Sequence, residues 1–316
     1  MVEAVTAAAR TADRYPDPLC RALTAALAAR EEISEPWILC GNGAADLIYR
    51  VVLALRPQCA LVAVPGFAEY ENALTLAGCA LRQVALSPQR DFRMGEDFLT
   101  AITPELDMVF LCEPHNPTGL TNPLSFLERV LERCTRVGAF LVVDACFEDF
   151  LPAPQTRLLK AALASHQNLL MLKAFTKFYG MAGIRLGYAL TSNRRLLARM
   201  RGGGQPWAVS SLAQAAGIAA LQEQTYGRQV RELVQRERPW LQHELQALGC
   251  RVIPGEANYL LFQHPAPLLE PLRERGILLR SCSNYAGLDE SWYRTAVRRH
   301  EENRKLLKAI KEIVTG

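Results

Sequence analysis

No Cys-x-x-Cys pair occurs among the nine cysteines, and several of them, such as Cys112 in Phe110-Leu111-Cys112, lie inside apolar runs. That placement argues against a zinc site or a disulfide framework. The thiols read as small buried hydrophobes in a reducing compartment. Histidine is scarce, five in 316 residues and none grouped, so no metal ligand set is expected. His115 alone stands beside a candidate motif, and it is expected to be neither ligand nor base. No apolar run reaches the ~18 residues that a membrane span needs. Glu3 and Arg10 interrupt the alanines of the N-terminus, where a secretory signal would carry an apolar core. The expectation is a cytoplasmic protein without membrane contact. Neither sign of charge dominates, with 36 Lys and Arg against 32 Asp and Glu, a net charge of +4. The basic residues are scattered, and those near Arg231 and Arg298 alternate with glutamates, as solvated helix faces do. Nucleic acid is therefore not an expected partner, whereas a mild positive charge suits small anions.

What is present is a large apolar fraction, 50% of the chain, enough for a substantial core and more than one domain. Short apolar runs predict strands at Ala60–Val64, Met108–Cys112, Phe140–Val143, Leu169–Leu172 and Leu186–Leu190. Between them, helical spacing joins Leu47, Ile48, Val51, Val52 and Leu55, and again Phe126, Leu127, Val130 and Leu131. This alternation predicts an α/β domain with a mostly parallel sheet. Gly202-Gly203-Gly204-Gln205-Pro206 reads as a flexible connection. After it comes a helical pattern from Ser211 to Leu248, which Pro239 is expected to kink or split. Strands at Tyr259–Phe262 and Ile277–Arg280 and a closing helix from about Glu301 predict a smaller α+β C-terminal domain. The expected division is an N-terminal arm over 1–30, a large domain over 31–205 and a small domain over 206–316.

Four segments carry chemistry. The first is Phe175-Thr176-Lys177-Phe178-Tyr179-Gly180, followed by Gly183-Ile184-Arg185-Leu186-Gly187. A lysine between two strands can form an imine with a cofactor aldehyde and move protons at a substrate carbon. The arginine eight positions on can clamp a phosphate. Taken alone, a loop lysine is an ordinary solvated residue. The second is Leu141-Val142-Val143-Asp144, an acid at the carboxyl end of a strand, the edge where open α/β sheets bind ligands. Its plainer role is a strand-end cap. The third, Asn116-Pro117-Thr118-Gly119, has the composition of a turn. The fourth, Gly41-Asn42-Gly43-Ala44-Ala45-Asp46, opens a helix whose first amides suit a phosphate, or it is a plain helix start.

In this order the segments resemble the class I/II aminotransferase family, enzymes of fold type I that use pyridoxal 5′-phosphate (PLP), over essentially the whole chain. Within the family the likeness is to the branch of histidinol-phosphate aminotransferases and the threonine-phosphate decarboxylases of cobalamin biosynthesis. It rests on Arg14-Tyr15-Pro16-Asp17, Pro65-Gly66-Phe67-Ala68-Glu69-Tyr70, Thr176-Lys177-Phe178-Tyr179, Pro206-Trp207, and Arg280-Ser281-Cys282-Ser283-Asn284-Tyr285 with Gly287-Leu288-Asp289 and Tyr293-Arg294. The resemblance implies that Lys177 is the Schiff-base lysine, that Asp144 pairs the pyridinium nitrogen and that Asn116 meets the ring oxygen. It gives Phe67 the stacking position on the ring; a core phenylalanine is the plainer reading. Gly43, Ala44, Ala45, Thr176 and Arg185 would hold the cofactor phosphate. Tyr15 would reach that phosphate from the partner subunit of a homodimer. Arg294 would bind the substrate α-carboxylate and Arg280 the substrate's own phosphate.

Three departures stand out. Ala174 replaces the family's usual Ser or Thr, and Phe147 replaces a tyrosine that bonds the ring oxygen, a change the decarboxylase branch tolerates. The sequence also starts shortly before Arg14, where the family carries a longer arm over the substrate. The implied reaction is decarboxylation of L-threonine O-3-phosphate to (R)-1-aminopropan-2-yl phosphate, with amino transfer on a compound such as histidinol phosphate as the alternative. Two other readings are a nucleotide-binding turn at Gly41–Asp46 and a relative without activity. The first expects an acid ending the next strand, where Pro65-Gly66 stands instead.

Overall fold

The computed structural model describes residues 1–152 and 156–315. Its larger sheet has seven strands: β1 (Ile38–Gly41), β2 (Cys59–Val64), β3 (Ala80–Ala85), β4 (Met108–Cys112), β5 (Phe140–Asp144), β6 (Leu169–Ala174) and β7 (Gly187–Leu190), in the order β1-β7-β6-β5-β4-β2-β3. β7 runs antiparallel to both neighbours, and the run from β6 to β3 is parallel. The second sheet is antiparallel, with β8 (Arg251–Val252), β9 (Tyr259–Gln263), β10 (Arg280–Ser281) and β11 (Trp292–Ala296) in the order β10-β11-β9-β8.

β4, β5 and β6 are buried at every residue, as parallel strands covered by helices on both faces must be. The pleat sends Leu141 and Val143 into one core and Phe140 and Val142 into the other. The helix Gly43–Leu55 covers the second face with Leu47, Ile48, Val51 and Val52. The helix Leu124–Val137 covers the first with Phe126, Leu127, Val130, Leu131 and Cys134, one apolar stripe, and stops at Gly138 with φ +81°. β3 at the edge alternates exposed and half-buried residues around Arg82 and Gln83.

A third core joins the long helix Gln224–Ala247, the second sheet, the short helix Leu269–Glu274 and the closing helix His300–Thr315, through Leu241, Leu245, Phe262, Leu272 and Ile310. The long helical pattern breaks at Glu223, not at Pro239. Helix Ser211–Gln222 ends there (φ −84°, ψ 68°), and the next helix runs through the proline. Val234, Leu241 and Leu245 fall on one buried stripe, so packing holds this helix across the missing N–H. The expected strand Ile277–Arg280 shrinks to Arg280–Ser281. Ile277 and Leu279 pack against the third core instead, and Leu278 is 88% exposed. All nine cysteines are free, and no helix is long and apolar enough to cross a membrane among the described residues.

Candidate active site

The carboxyl ends of β4, β5 and β6 bring the chemistry-bearing segments together. Asp144 ends β5 at 6% exposure, in register with Cys112 of β4 and Leu172 of β6. Its Oδ2 accepts from Tyr70 Oη at 2.6 Å, and its Oδ1 accepts from Cys146 N–H at 3.0 Å. Tyr70 stacks on Phe110 with centroids 4.8 Å apart, and Phe67 meets Tyr70 edge-on at 5.5 Å. Burial, then the Asp144 charge, pushes the Tyr70 hydroxyl and the Cys112 thiol up, so both stay neutral. Sequence reasoning assigned no role to Tyr70, although it stands three positions past Phe67, in the first turn of the helix Ala68–Leu76.

Asn116 follows the cis Glu113-Pro114 bond and is 7% exposed. Its Oδ1 accepts from Arg294 Nη1 at 2.5 Å and from Tyr285 Oη at 3.2 Å. Those two donors fix the amide orientation and turn Nδ2 away as a donor for another group. Neighbouring His115 is buried, paired through Nδ1 with Thr118 Oγ1 at 2.9 Å. Burial lowers its pKa to about 4, so it is neutral near pH 7.

β6 ends at Ala174 and leads into the short helix Phe175–Phe178, which carries half-buried Thr176 and exposed Lys177. Lys177 Nζ stands 5.8 Å from the Phe147 ring centroid, and Phe147 packs edge-on against Tyr259 at 4.9 Å. The Lys177 pKa is lowered from 10.5, first by the protein packed around its stem and then by the Arg294 cation, with Arg185 adding to the effect and Cys146 and Asp144 opposing it. A larger neutral fraction makes this amine a better nucleophile.

The start of the helix Gly43–Leu55 faces the same end of the sheet. Gly43 has φ +83°, and a Cβ there would fall 2.9 Å from Arg185 Nη2, so the guanidinium lies directly over the loop. A Cβ on Gly187 would fall 2.6 Å from Ala44 N, so β7 passes beneath the first turn. Arg185 itself has φ +58° and donates through Nη1 to Ala182 O at 3.2 Å. The amides of Gly43, Ala44 and Ala45, the helix dipole and the Arg185 cation thus converge where an anion is favoured.

Arg280 and Arg294 are direct cross-strand partners in the β10–β11 pair, so their side chains leave one face of the second sheet. Arg294 also lies over the Tyr259 ring at 5.0 Å, and Tyr259 Oη donates to His115 O at 2.9 Å. Arg280 is exposed and donates to Asn284 Oδ1 at 3.0 Å. Tyr15 stands apart, 82% exposed, its ring 4.8 Å from that of Trp207. The structure therefore gathers Asp144, Asn116, Lys177 and Arg294 around one space, sets Gly43, Ala44, Ala45 and Arg185 at its phosphate-suited edge, and leaves Tyr15 outside.

A family model described as aminotransferase class I and II matches residues 2–310. The chain is 38% identical over 308 residues to a threonine-phosphate decarboxylase of Salmonella typhimurium, spanning 96% of this chain and 84% of that protein. It is 33% identical over 301 residues to a histidinol-phosphate aminotransferase of Nitratidesulfovibrio vulgaris, spanning 92% and 79%. The histidinol-phosphate aminotransferase structure from Clostridium acetobutylicum superposes with a TM-score of 0.91 at 26% identity, over 99% of this chain and 94% of that one.

Proposed function

The chain belongs to the class I and II aminotransferase family, and from that premise we propose that it decarboxylates L-threonine O-3-phosphate to (R)-1-aminopropan-2-yl phosphate with bound PLP. The residues present fit that cofactor. The glycine loop and Arg185 leave a cradle that a side chain at Gly43 would fill. Asp144 is a buried carboxylate held by two donors, and Lys177 is an amine with a lowered pKa beside it. PLP supplies a protonated pyridine ring that takes up the electron pair left at the α-carbon when carbon dioxide departs.

This chain's residues would do the rest. Asp144 would pair the ring nitrogen, and Tyr70 and the Cys146 amide hold its carboxylate in place. Asn116 Nδ2 would be free to donate to the ring oxygen, and Phe67 would cover the ring face. The Gly43, Ala44 and Ala45 amides, Thr176 Oγ1 and Arg185 hold the cofactor phosphate. Lys177 Nζ would hold the cofactor and carry the proton for the substrate α-carbon. Arg294 orients the substrate carboxylate and Arg280 takes its phosphate. The observation that carries the substrate reading is the β10–β11 register, which puts two guanidiniums on one face, one tied to Asn116 and one exposed. A substrate with a carboxylate and a phosphate needs two such anchors.

Amino transfer on a phosphorylated amino acid or amine, such as histidinol phosphate, is the second reading. The similarity to two histidinol-phosphate aminotransferases favours it, and it uses the same residues. Incubation with threonine phosphate separates the two. Carbon dioxide released without an added keto acid is the expected result, and amino transfer that depends on a keto acid would replace it with the second reading. We further propose a homodimer in which exposed Tyr15 reaches the partner's cofactor phosphate. The active fraction should then sediment as a dimer, and a fully active monomer would remove that role.

A further inference from the structure

Arg294 is a half-buried cation with no carboxylate partner among the described residues. Its Nη1 donates to Asn116 Oδ1 at 2.5 Å and stands 3.5 Å from Tyr285 Oη, and its Cζ lies 5.0 Å from the centroid of the Tyr259 ring. All three holders are neutral. A carboxylate in their place would also fix the guanidinium, but it would cancel the charge that an anionic ligand needs. Asn116 and Tyr285 reach only one of the nitrogens. The aromatic face attracts the guanidinium as a whole through the ring quadrupole and leaves its charge uncancelled.

Tyr259 is itself fixed from several sides. It opens β9, and the register that pairs Arg294 with Leu261 and Ala296 with Tyr259 makes Tyr259 and Arg294 diagonal neighbours on one face of the sheet. Tyr259 is 4% exposed, its Oη donates to His115 O at 2.9 Å, and Phe147 packs on it edge-on at 4.9 Å. Burial pushes the Tyr259 hydroxyl well up, so it stays a neutral donor. A Cβ on Gly119, whose φ is +73°, would fall 3.4 Å from Tyr259 Cε2, so the ring lies against that turn. The turn 115–119 thus receives the Tyr259 hydroxyl at His115, the Tyr259 ring at Gly119 and the Arg294 guanidinium at Asn116. Lys177 Nζ stands over the Phe147 ring at 5.8 Å, so two touching rings space these two cations.

We propose that Tyr259 is a positioning residue for Arg294. Its ring face holds the guanidinium, uncancelled in charge, where a ligand carboxylate meets it, and its hydroxyl locks the ring to the turn 115–119. Tyr259 touches neither the carboxylate nor the cofactor and acts only through the arginine. This role rests on the reading of Arg294 as the carboxylate anchor.

The test titrates the cofactor-loaded enzyme by calorimetry with two ligands that have no amine and cannot react. 3-Phosphoglycerate has a carboxylate and a phosphate, and glycerol phosphate has the phosphate alone. The native protein should prefer 3-phosphoglycerate. Tyr259→Leu should cut that preference about tenfold, by weakening 3-phosphoglycerate and leaving glycerol phosphate unchanged. Tyr259→Phe keeps the ring face and should hold the preference within about threefold of native, the loss of one neutral hydrogen bond. Arg294→Ala should abolish the preference. A preference kept in Tyr259→Leu and lost in Arg294→Ala would overturn the role of Tyr259 and leave the carboxylate reading standing. A preference kept in both, or absent from the native protein, would overturn both. Equal weakening of the two ligands in Tyr259→Leu would show that Tyr259 supports the shape of the site and not Arg294, and would overturn the role. So would a loss in Tyr259→Phe as large as in Tyr259→Leu, because the ring face would then contribute nothing. Where Tyr259→Leu does not fold, Tyr259→Met, whose flexible side chain fills irregular gaps, carries the same comparison.

Discussion

Around Asp144 both carboxylate oxygens have fixed donors and the residue is 6% exposed, whereas Arg280 is exposed and has one neutral partner, Asn284. The contrast extends outward. Beneath the first region, Lys173 of β6 is buried among Glu31, Glu148 and Asp149 at 3.2, 2.6 and 3.4 Å, and Glu31 also accepts from Tyr188 Oη at 2.6 Å. Around the second, β10 is two residues long and Leu278 beside it is 88% exposed. Charges that must be correct before any substrate arrives are held rigidly by buried partners. A cation that selects a substrate can stay solvated until its anion comes. Asn116 joins the regions, because it accepts from Arg294 and lies at the carboxyl end of the large sheet.

The sharpest break of this contrast is at Lys177. Lys177→Ala should abolish turnover and the visible absorption band of a PLP imine, with the fold intact by circular dichroism. Borohydride reduction of the native protein should fix the cofactor to the peptide containing Lys177; labelling of another lysine would refute the assignment. Next is Asp144→Asn. The amide cannot hold the ring proton, so most activity should go while the cofactor is still bound. A near-normal rate would reduce Asp144 to a strand-end cap.

The buried network makes a stability prediction. Lys173→Met leaves Glu148 buried without its cation and Glu31 with Lys160 alone, at 3.1 Å, and should cost about 3–5 kcal/mol in urea unfolding. Burial pushes the Glu31 carboxyl up, but the Lys173 cation, the Tyr188 hydroxyl and the Lys160 cation together outweigh it and hold the pKa at about 2, against an ordinary 4.5. A carboxyl held below its unfolded value contributes stability that is complete above about 4.5 and lost as the pH falls from there toward 2. Stability measured through that window should fall for the native protein and fall less for Lys173→Met. Equal slopes would show that Glu31 is not held by this lysine.

The two regions were also unequally legible in the sequence. β4, β5 and β6 stand out as unbroken apolar runs because both faces are buried, and they lead directly to Asp144 and Lys177. β3 and β11 carry exposed and polar residues and give no such run, while Ile277–Leu279 is apolar for packing and not for pairing. The break at Glu223 has neither glycine nor proline to announce it. Local segments showed the glycine loop, Asn116, Arg185 and Lys177. The partners of these residues were hidden by distance along the chain. Tyr70 reaches Asp144 across 74 positions, Tyr285 reaches Asn116 across 169, and Glu31 reaches Lys173 across 142. No spacing rule connects residues that only the sheet topology brings together.

The division of labour between the two regions is tested most directly at Arg280, by steady-state kinetics on phosphorylated and unphosphorylated threonine. Replacing Arg280 with alanine should raise KM for threonine phosphate by the equivalent of about 1.5–3 kcal/mol, the range for a hydrogen bond to a charged group. Activity on threonine, weak from the start, should hardly change, because Asp144 and Lys177 are untouched. Equal losses on both substrates would mean that Arg280 supports the fold or the cofactor. No loss on either would leave Arg280 a solvated surface residue and contradict the phosphate-substrate account.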